Sequence, residues 1–227
     1  MDWIMSHGEL VPITDYLEYP VEEMKNRAQA YYDLMRKRRT VRDFADREVP
    51  REVIEHCLLT AGTAPSGANM QPWQFVVVSA PETKAMIRRA AEEVEREFYE
   101  TRAPDYWLEA LGPIGTNEHK PHLEEAPYLI VTFSKQFTVT EDGRRLHNYY
   151  ISESVGIALG MLISAVHNAG LASLTHTPKP MSFLRNLLGR PKHETPVLIL
   201  AVGYPKKDAK VPKITKKSLA EIATFID

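Results

Sequence analysis

Two adjacent arginines and a threonine, Arg38, Arg39 and Thr40, form the run with the clearest chemical potential in the sequence. The planar guanidinium group of arginine matches the geometry of phosphate oxygens, and it stays charged at physiological pH. The three side chains could therefore converge on one phosphate group. The same run is also typical of a solvent-exposed basic helix end, where positive charge interacts favourably with the helix dipole. Taken alone, the run favours the solvent-exposed helix end.

Two further segments have the composition of a binding site. Residues 61–73 form a loop of small residues between a predicted helix and a predicted strand, and this loop contains Ser66 and Ala68. Small side chains let the backbone approach a flat ring or a phosphate, although ordinary connecting loops have the same composition. Residues 211–217 form a second basic patch, which includes Lys216. This patch is expected either to approach the phosphate from the far side or to lie in solvent.

Glu95, Tyr99 and Lys120 form a third candidate group. Glu95 and Tyr99 lie four residues apart on a predicted helix, so the two side chains share one helix face. Lys120 lies at the end of residues 103–121, whose prolines and glycines predict a loop or a lid. The glutamate run around Glu95 is also typical of a solvated helix face, and the spacing alone leaves both interpretations open.

The composition argues against several classes of function. The chain has 227 residues and a formal net charge of −2, so it lacks the basic field that holds nucleic acid. Its single cysteine, Cys57, cannot form an internal disulfide and has no zinc-ligand spacing to a histidine, so we expect a buried thiol and no metal site. Residues 1–20 show no secretory signal, and the longest apolar stretch, residues 155–166, is shorter than a membrane span. We therefore expect a cytoplasmic protein without a membrane partner.

Hydrophobic periodicity predicts an alternation of helices and strands. The expected helices cover residues 21–37, 50–61, 81–101 and 148–168, and the expected strands cover residues 73–79, 128–133, 171–175 and 197–202. This order predicts an α+β domain that exchanges its arms in a homodimer. We expect an N-terminal arm at residues 1–20 and a single domain at residues 21–227. Within that domain we expect a lid at about residues 95–121 and a C-terminal extension at about residues 208–227.

The stretch at residues 155–166 is apolar on nearly every side. Such a helix belongs either in the middle of a core or at an interface between subunits. Gly156 and Gly160 are spaced so that another helix can approach closely, as in paired membrane helices. The length of the stretch favours a central helix of a soluble protein.

Five segments together resemble the nitroreductase-like flavoprotein family. In order, they are Arg-Arg-Thr-Val-Arg at 38–42, the loop from Thr60 to Trp73, the long apolar helix, Asn-Ala-Gly-Leu at 168–171 and Ala-Val-Gly-Tyr-Pro at 201–205. The resemblance extends from about residue 20 to the end, and the lid makes the chain most similar to the iodotyrosine deiodinase (halotyrosine dehalogenase) branch. It implies a nitroreductase-like fold with a central mixed or antiparallel sheet flanked by helices, assembled as an arm-exchanged homodimer.

The resemblance implies that the protein binds one FMN per active site. The residues that match the cofactor-binding positions of the family are Arg38, Arg39, Thr40, Ser66, Thr175, His176, Thr177 and Lys216. The basic run would contact the phosphate and ribityl end, together with Lys216, which stands where the branch often has an arginine. Ser66 would reach the flavin from the partner subunit. Thr177 would act in catalysis by hydrogen bonding to flavin N5, and His176 replaces a commoner threonine.

The resemblance also implies a substrate site for an amino acid. In the dehalogenase branch, residues at the positions of Glu95, Tyr99 and Lys120 hold the zwitterion of the substrate. The chemistry suits this task, because a carboxylate accepts from an ammonium group, a lysine pairs with a carboxylate and a phenol adds a directed hydrogen bond. The backbone N–H of Ala68 would bind the substrate phenolate.

The implied activity is the FMN-dependent reductive dehalogenation of 3-halotyrosine. The sequence has no Gly-x-Gly-x-x-Gly run in a dinucleotide-binding context, so electrons would come from a separate reductase or from NAD(P)H reacting in the open site. Closure of the lid would exclude water, and Tyr106 and Trp107 would either cover the aromatic ring or anchor the lid. Two alternatives are a general NAD(P)H-dependent nitro or quinone reductase of the same fold and a non-catalytic flavin or amino-acid sensor.

Overall fold

The computed structural model describes residues 10–106, 109 and 116–226. The helices are α1 (Val21–Met35), α2 (Arg51–Gly62), α3 (Pro81–Glu97), α4 (His122–Glu125), α5 (Ile151–Asn168), α6 (Ser182–Leu187) and α7 (Leu219–Ile222). The strands are β1 (Trp73–Val78), β2 (Tyr128–Lys135), β3 (Phe137–Val139), β4 (Arg145–His147), β5 (Ala172–His176) and β6 (Glu194–Gly203). A 3-10 turn covers Gly67–Asn69, and a π-helical segment, Phe98–Arg102, follows α3 directly.

The central sheet has the strand order β1-β2-β6-β5, and each neighbouring pair is antiparallel. Thr40 forms a parallel bridge with Ser173 of β5, so the chain after α1 adds a short parallel pairing along this edge. β3 and β4 form a separate two-stranded antiparallel hairpin. Since helices surround an antiparallel sheet, the predicted α+β architecture is confirmed.

Helices cover both faces of the sheet, and each face has its own hydrophobic core. Successive side chains of a strand point to opposite faces, and β2 shows this alternation. Ile130 packs in the core with α2 and α5, whereas Leu129 and Val131 pack in the core with α3 and α6. The sheet thus fixes α3 on one side and α5 on the other.

Local sequence signals set the helix boundaries. Pro50 precedes α2, and Pro81 is the first residue of α3, where a missing backbone N–H removes no helical hydrogen bond. Gly170 ends α5 with a left-handed φ of +79°, and the N–H of Leu171 then donates to the Val166 carbonyl at 3.1 Å. This turn directs the chain straight into β5.

Two predicted helices differ in detail from the observed ones. The helix expected at residues 81–101 is α-helical only to Glu97 and continues as a π-helical turn, which is a feature that often occurs at functional sites. The helix expected at residues 148–168 begins at Ile151, because Tyr150 has a left-handed φ of 47°.

Helix α5 has one buried face and one exposed face. Val155 and Leu162 lie in the core, whereas Gly156, Ile157 and Gly160 are exposed on the opposite side. By length and composition alone α5 could cross a membrane, and 33% of it is buried inside the fold. Its inward residues, Val155, Ala158, Leu159, Leu162 and Val166, belong to the hydrophobic core.

Apolar side chains are exposed near both ends of the described chain. Residues 10–20 contain no helix or strand, and Leu10, Ile13 and Leu17 are exposed there, as are Phe225 and Ile226 at the other end. The division into an arm, a domain, a lid and an extension stays a prediction.

Candidate functional site

Glu95, Tyr99 and Lys120 meet in one cavity of about 300 Å³. Glu95 lies in the last turn of α3, Tyr99 lies in the π-helical segment, and Lys120 lies just before α4. Lys120 Nζ is 3.3 Å from Glu95 Oε2 and 5.7 Å from the centroid of the Tyr99 ring. The fold therefore brings Lys120, at the far end of the predicted lid, back to α3, the helix in which the lid begins.

Lys120 is almost completely buried, with 3% of the residue exposed. Its Nζ donates to Thr116 Oγ1 at 3.2 Å and to the Asn117 carbonyl. Burial lowers the pKa of Lys120, and the Glu95 carboxylate opposes this shift by stabilising the ammonium form. A ligand that carries both charges can separate the pair, because its carboxylate can replace Glu95 and its ammonium can replace Lys120.

Tyr99 presents a phenol to the same cavity. Burial raises the pKa of Tyr99, although a hydrogen bond with Thr116 acts in the opposite direction. The hydroxyl therefore stays protonated and able to donate at neutral pH.

Glu92 holds the backbone at Lys120. Glu92 Oε1 accepts a hydrogen bond from the Lys120 N–H at 2.8 Å and another from Arg88 Nε at 2.9 Å. Arg88 Nη1 also donates to Glu124 Oε2 of α4 at 3.0 Å. Burial raises the pKa of Glu92, but the hydrogen bonds from the Lys120 N–H and from Arg88 outweigh burial. The pKa of Glu92 therefore lies below its usual value. Glu92 is therefore ionised at neutral pH and ties the lid end to α3.

Two buried histidines lie beside Glu95. His122 begins α4 and His176 ends β5, and their ring centroids are 5.3 Å apart with the planes inclined at 71°. Burial, together with the positive charges of Lys120 and Arg42, lowers the pKa of both imidazoles to about 3. His176 Nε2 lies 3.8 Å from Glu95 Oε1, which is longer than a hydrogen bond, and a neutral imidazole forms no ion pair there.

Strand β5 connects the cavity to the basic run. Thr175 and His176 end β5, Thr177 follows directly, and all three line the cavity with Glu95. Near the start of β5, Ser173 bridges to Thr40, and its carbonyl accepts from the Val41 N–H at 3.3 Å. The basic run and the Thr175–Thr177 segment thus lie along one strand.

Arg38 and Arg39 are half-buried, and in the described part of the chain neither has a carboxylate within 4 Å. Arg39 donates to the Pro212 carbonyl, which brings the C-terminal basic patch against the run. Lys216 follows in that patch, but it is exposed and lies outside the cavity wall. Two adjacent guanidinium groups without carboxylate partners form a donor set that suits a phosphate.

The loop that contains Ser66 and Ala68 is not part of the cavity wall in the single chain. Ala68 and Gln71 both have a φ of 47°, which costs a residue other than glycine about 1–3 kcal/mol. The Gln71 N–H donates to Ser66 Oγ at 3.0 Å, and a Cβ added at Gly67 would lie 2.8 Å from the Tyr150 ring. Strain that is held in place by such contacts is typical of binding loops.

Three residues that the sequence did not single out belong to the site. Arg42 and His122 line the 300 Å³ cavity and also an adjoining cavity of about 550 Å³. Arg42 had one signal, its place at the end of the basic run. Glu92 and His122 had none, because only the folded chain brings them to Lys120.

Other predicted features lie elsewhere or outside the described residues. Tyr106 is 71% exposed and does not line the cavity, and Trp107 lies outside the described residues. Across residues 10–106, 109 and 116–226, no cluster of His, Cys, Asp and Glu side chains could hold a metal ion.

Comparisons with known proteins identify the family of the chain. Residues 35–204 match the family model of the nitroreductase family. The chain is 53% identical over 205 residues to the iodotyrosine deiodinase of Haliscomenobacter hydrossis, covering 90% of this chain and 92% of that protein. It is 44% identical over 209 residues to the Homo sapiens iodotyrosine deiodinase 1, covering 92% and 72% of the two chains.

Solved structures give the same result. A crystal structure of oxidized iodotyrosine deiodinase bound to FMN and 3-iodo-L-tyrosine superposes with a TM-score of 0.73 at 35% identity, covering 86% of this chain and 100% of that chain. With the family model, these relatives and the shared fold together, the chain belongs to the nitroreductase family and, within it, to the iodotyrosine deiodinases.

Proposed function

We propose that this protein is an FMN-dependent reductive dehalogenase that converts a 3-halotyrosine, such as 3-iodotyrosine, into tyrosine and halide. The observation that carries the proposal is the meeting of Glu95, Tyr99 and Lys120 with the Thr175–Thr177 segment in one cavity. The named activity of the relatives, and the FMN and 3-iodo-L-tyrosine bound in the solved structure, support the choice of cofactor and substrate.

The charged head group of the substrate is bound by the lid residues. Glu95 accepts from the substrate ammonium, Lys120 pairs with the substrate carboxylate, and Tyr99 adds a hydrogen bond from its phenol. Both new ion pairs form in a buried place, where an unpaired charge would be costly, so a ligand with only one of the two charges binds poorly. The lid residues thus select a free amino acid.

FMN, when bound, supplies the two electrons that, with one proton, replace the carbon–halogen bond with a carbon–hydrogen bond and release halide. Arg38, Arg39 and Thr40 hold its phosphate and ribityl end, and Lys216 adds charge from the C-terminal patch. Thr175, His176 and Thr177 would line its ring, and the Thr177 hydroxyl would hydrogen-bond to N5 as the catalytic contact. Among the described residues neither Arg38 nor Arg39 has a carboxylate within 4 Å, which fits an anionic group at this place.

A complete site needs two copies of the chain. The partner subunit's Ser66 and the partner subunit's Ala68 complete the site, with the Ala68 N–H on the substrate phenolate. Three observations support this assembly: the loop lies outside the cavity of its own chain, the outward face of α5 is exposed, and apolar side chains near both ends are exposed.

The proposal includes a cellular setting and an electron donor. The setting is the cytoplasm, and NAD(P)H or a separate reductase supplies the electrons.

The proposal is tested anaerobically with the flavin-loaded protein. The flavin is reduced with dithionite, 3-iodotyrosine is added, and iodide, tyrosine and flavin absorbance are followed. We expect one iodide and one tyrosine for each flavin reoxidised. If no iodide forms, the proposal is wrong. If nitroaromatics without a charged head group reoxidise the flavin as fast as 3-iodotyrosine, the protein is instead a general reductase of the same fold.

A further inference from the structure

Two imidazole nitrogens at the substrate cavity have no partner within the described chain. They are the Nε2 atoms of His122 and His176, both fully buried and neither in hydrogen-bond contact. His122 is 5% exposed and His176 is 8% exposed, and both line the cavity with Glu95. An unpaired buried polar atom costs free energy, so such atoms call for a physical explanation.

Binding of an amino acid changes the surroundings of Glu95. In the structure, Glu95 Oε2 faces Lys120 Nζ at 3.3 Å and Glu95 Oε1 faces His176 Nε2 at 3.8 Å. When the substrate carboxylate takes Lys120, Glu95 loses its nearest donor within the protein. The carboxylate then needs another donor to keep its orientation towards the substrate ammonium.

His176 is the neighbour that can take this role without changing the charge of the site. Its Nε2 has to move less than about 1 Å to reach hydrogen-bonding distance of Glu95 Oε1. A charged donor at this place would cancel the charge that attracts the ammonium group, whereas a neutral imidazole N–H orients the carboxylate and leaves its charge intact. The His122 ring packs against the His176 ring in an edge-to-face arrangement and fixes its plane.

We propose that His176 is a positioning residue for Glu95: its Nε2–H donates to Glu95 Oε1 when the substrate separates Glu95 from Lys120, and His122 holds the ring in place. The inference rests on the proposed function and deepens it, because it assigns part of the selectivity for a free amino acid to a residue that acts through Glu95. Burial is the main reason why the pKa of His176 is low and the ring is neutral, and two positive neighbours from other elements, Lys120 and Arg42, act in the same direction.

The first test compares two ligands on the oxidised, flavin-loaded protein by quenching of flavin fluorescence. 3-Iodotyrosine carries the charged head group, and 2-iodophenol lacks it. For His176→Leu we expect the ratio of the two dissociation constants to shift against 3-iodotyrosine by about tenfold or more, which corresponds to a lost hydrogen bond to a charged group. His176→Gln keeps a neutral N–H donor and should restore most of the ratio.

The outcomes of this test separate the two proposals. If wild-type protein binds 3-iodotyrosine no better than 2-iodophenol, the selectivity of the site and this inference are both wrong. If wild-type protein discriminates and His176→Leu keeps the same ratio, only this inference is wrong. Equal weakening of both ligands also overturns it, because that result indicates a general structural role.

A second measurement does not depend on a variant that folds. Long-range ¹H–¹⁵N spectra of the wild-type, flavin-loaded protein report the protonation of each imidazole nitrogen. We expect His176 to be neutral and protonated at Nε2 from pH 6 to pH 8. A charged ring at pH 6, or a proton on Nδ1 alone, would contradict the proposed donor.

A third test combines two substitutions. In the Glu95→Gln background, His176→Leu should shift the ratio of the two dissociation constants far less than in wild-type protein.

Discussion

Glu95 and Lys120 neutralise each other in the structure, and this pairing couples affinity to the charges of the ligand. A zwitterion exchanges one ion pair for two, so neither buried charge is left without a partner. A neutral phenol can only lie beside the intact pair. A ligand with a carboxylate alone would take Lys120 and leave Glu95 unpaired, which is costly in a buried place. Selectivity for an amino acid therefore follows from two residues in contact.

Replacing Glu95 with glutamine tests this coupling. Glu95→Gln keeps the shape of the side chain but leaves Lys120 Nζ without its carboxylate partner and removes the acceptor of the substrate ammonium. We expect the dissociation constant of 3-iodotyrosine to rise on the order of 10- to 100-fold, and that of 2-iodophenol to change by less than about threefold. Flavin fluorescence titration measures both constants. Glu93→Gln, at an exposed position on the same helix, is the matched control and should bind both ligands like wild-type protein.

The buried His122 makes the stability of the fold depend on pH. Burial is the largest cause that lowers its pKa to about 3; the charges of Lys120, Arg42 and Arg88 act in the same direction, and Glu92 opposes them. An unfolded histidine titrates near pH 6.5, so between about pH 6.5 and pH 3 the unfolded chain binds a proton that the folded chain does not. The stabilisation is complete above pH 6.5 and is lost as the pH falls, by up to about 1.4 kcal/mol per pH unit.

His122→Leu should therefore flatten the pH dependence of stability. Urea unfolding of both flavin-loaded proteins at pH 4.5, 5.5, 6.5 and 7.5 measures the difference in free energy of unfolding. We expect the wild-type protein to lose more free energy of unfolding than the variant as the pH falls. The titration of carboxylates affects both proteins equally, so it cancels in the difference between them. Parallel curves for the two proteins would show that His122 is not held neutral by the fold.

The elements that form the sheet and its main helices were predictable, because each has a clear sequence signal. Proline marks the starts of α2 and α3, glycine marks the end of α5, and long apolar runs mark the strands. The β3–β4 hairpin was missed because strands of three residues carry no measurable period, and the six-residue α6 is also too short. Helical spacing could place Glu95 beside Tyr99, but contacts between distant segments, such as His122 with His176, depend on the register of the sheet.

Several hydrogen bonds, rather than a single contact, join α3 to the lid end and to α4. Glu92 of α3 receives the Lys120 N–H, and Arg88 of α3 reaches both Glu92 and Glu124 of α4. The lid end is thus held on the same helix that presents Glu95, so the two substrate-binding charges keep a fixed separation. Loss of this link should affect substrate binding more than the chemical step.

Glu92→Ala removes that link without touching the cavity wall. We expect the KM for 3-iodotyrosine to rise by about threefold to tenfold while kcat changes by less than twofold, because Lys120 loses a backbone hydrogen bond to a charged acceptor. Glu92→Gln keeps an acceptor and should give a smaller effect. Steady-state iodide release measures both parameters, and Glu93→Ala on the exposed face is the control. A fall in kcat with an unchanged KM would contradict the assigned role.

At the scale of the whole molecule, the single chain leaves unusual apolar surface exposed. Ile157 on the outward face of α5, Leu10 and Ile13 before α1, and Phe225 and Ile226 at the other end all face solvent. A soluble monomer rarely exposes so many large apolar side chains, and large apolar patches mark interfaces. The two-fold assembly proposed above would cover this surface and would bring the strained Ser66–Ala68 loop to a second cavity.

Gly160→Leu tests this assembly while leaving the subunit fold intact. An added Cβ at Gly160 meets no atom within 4 Å in the single chain, and leucine is about 1 kcal/mol better than glycine in a helix. The variant subunit should therefore fold with unchanged circular dichroism, but its side chain would keep two α5 helices apart. We expect sedimentation velocity to show a monomer that retains less FMN after gel filtration, with Gly160→Ala intermediate. A Gly160→Leu protein that remains a dimer with full flavin content would place the subunit interface elsewhere.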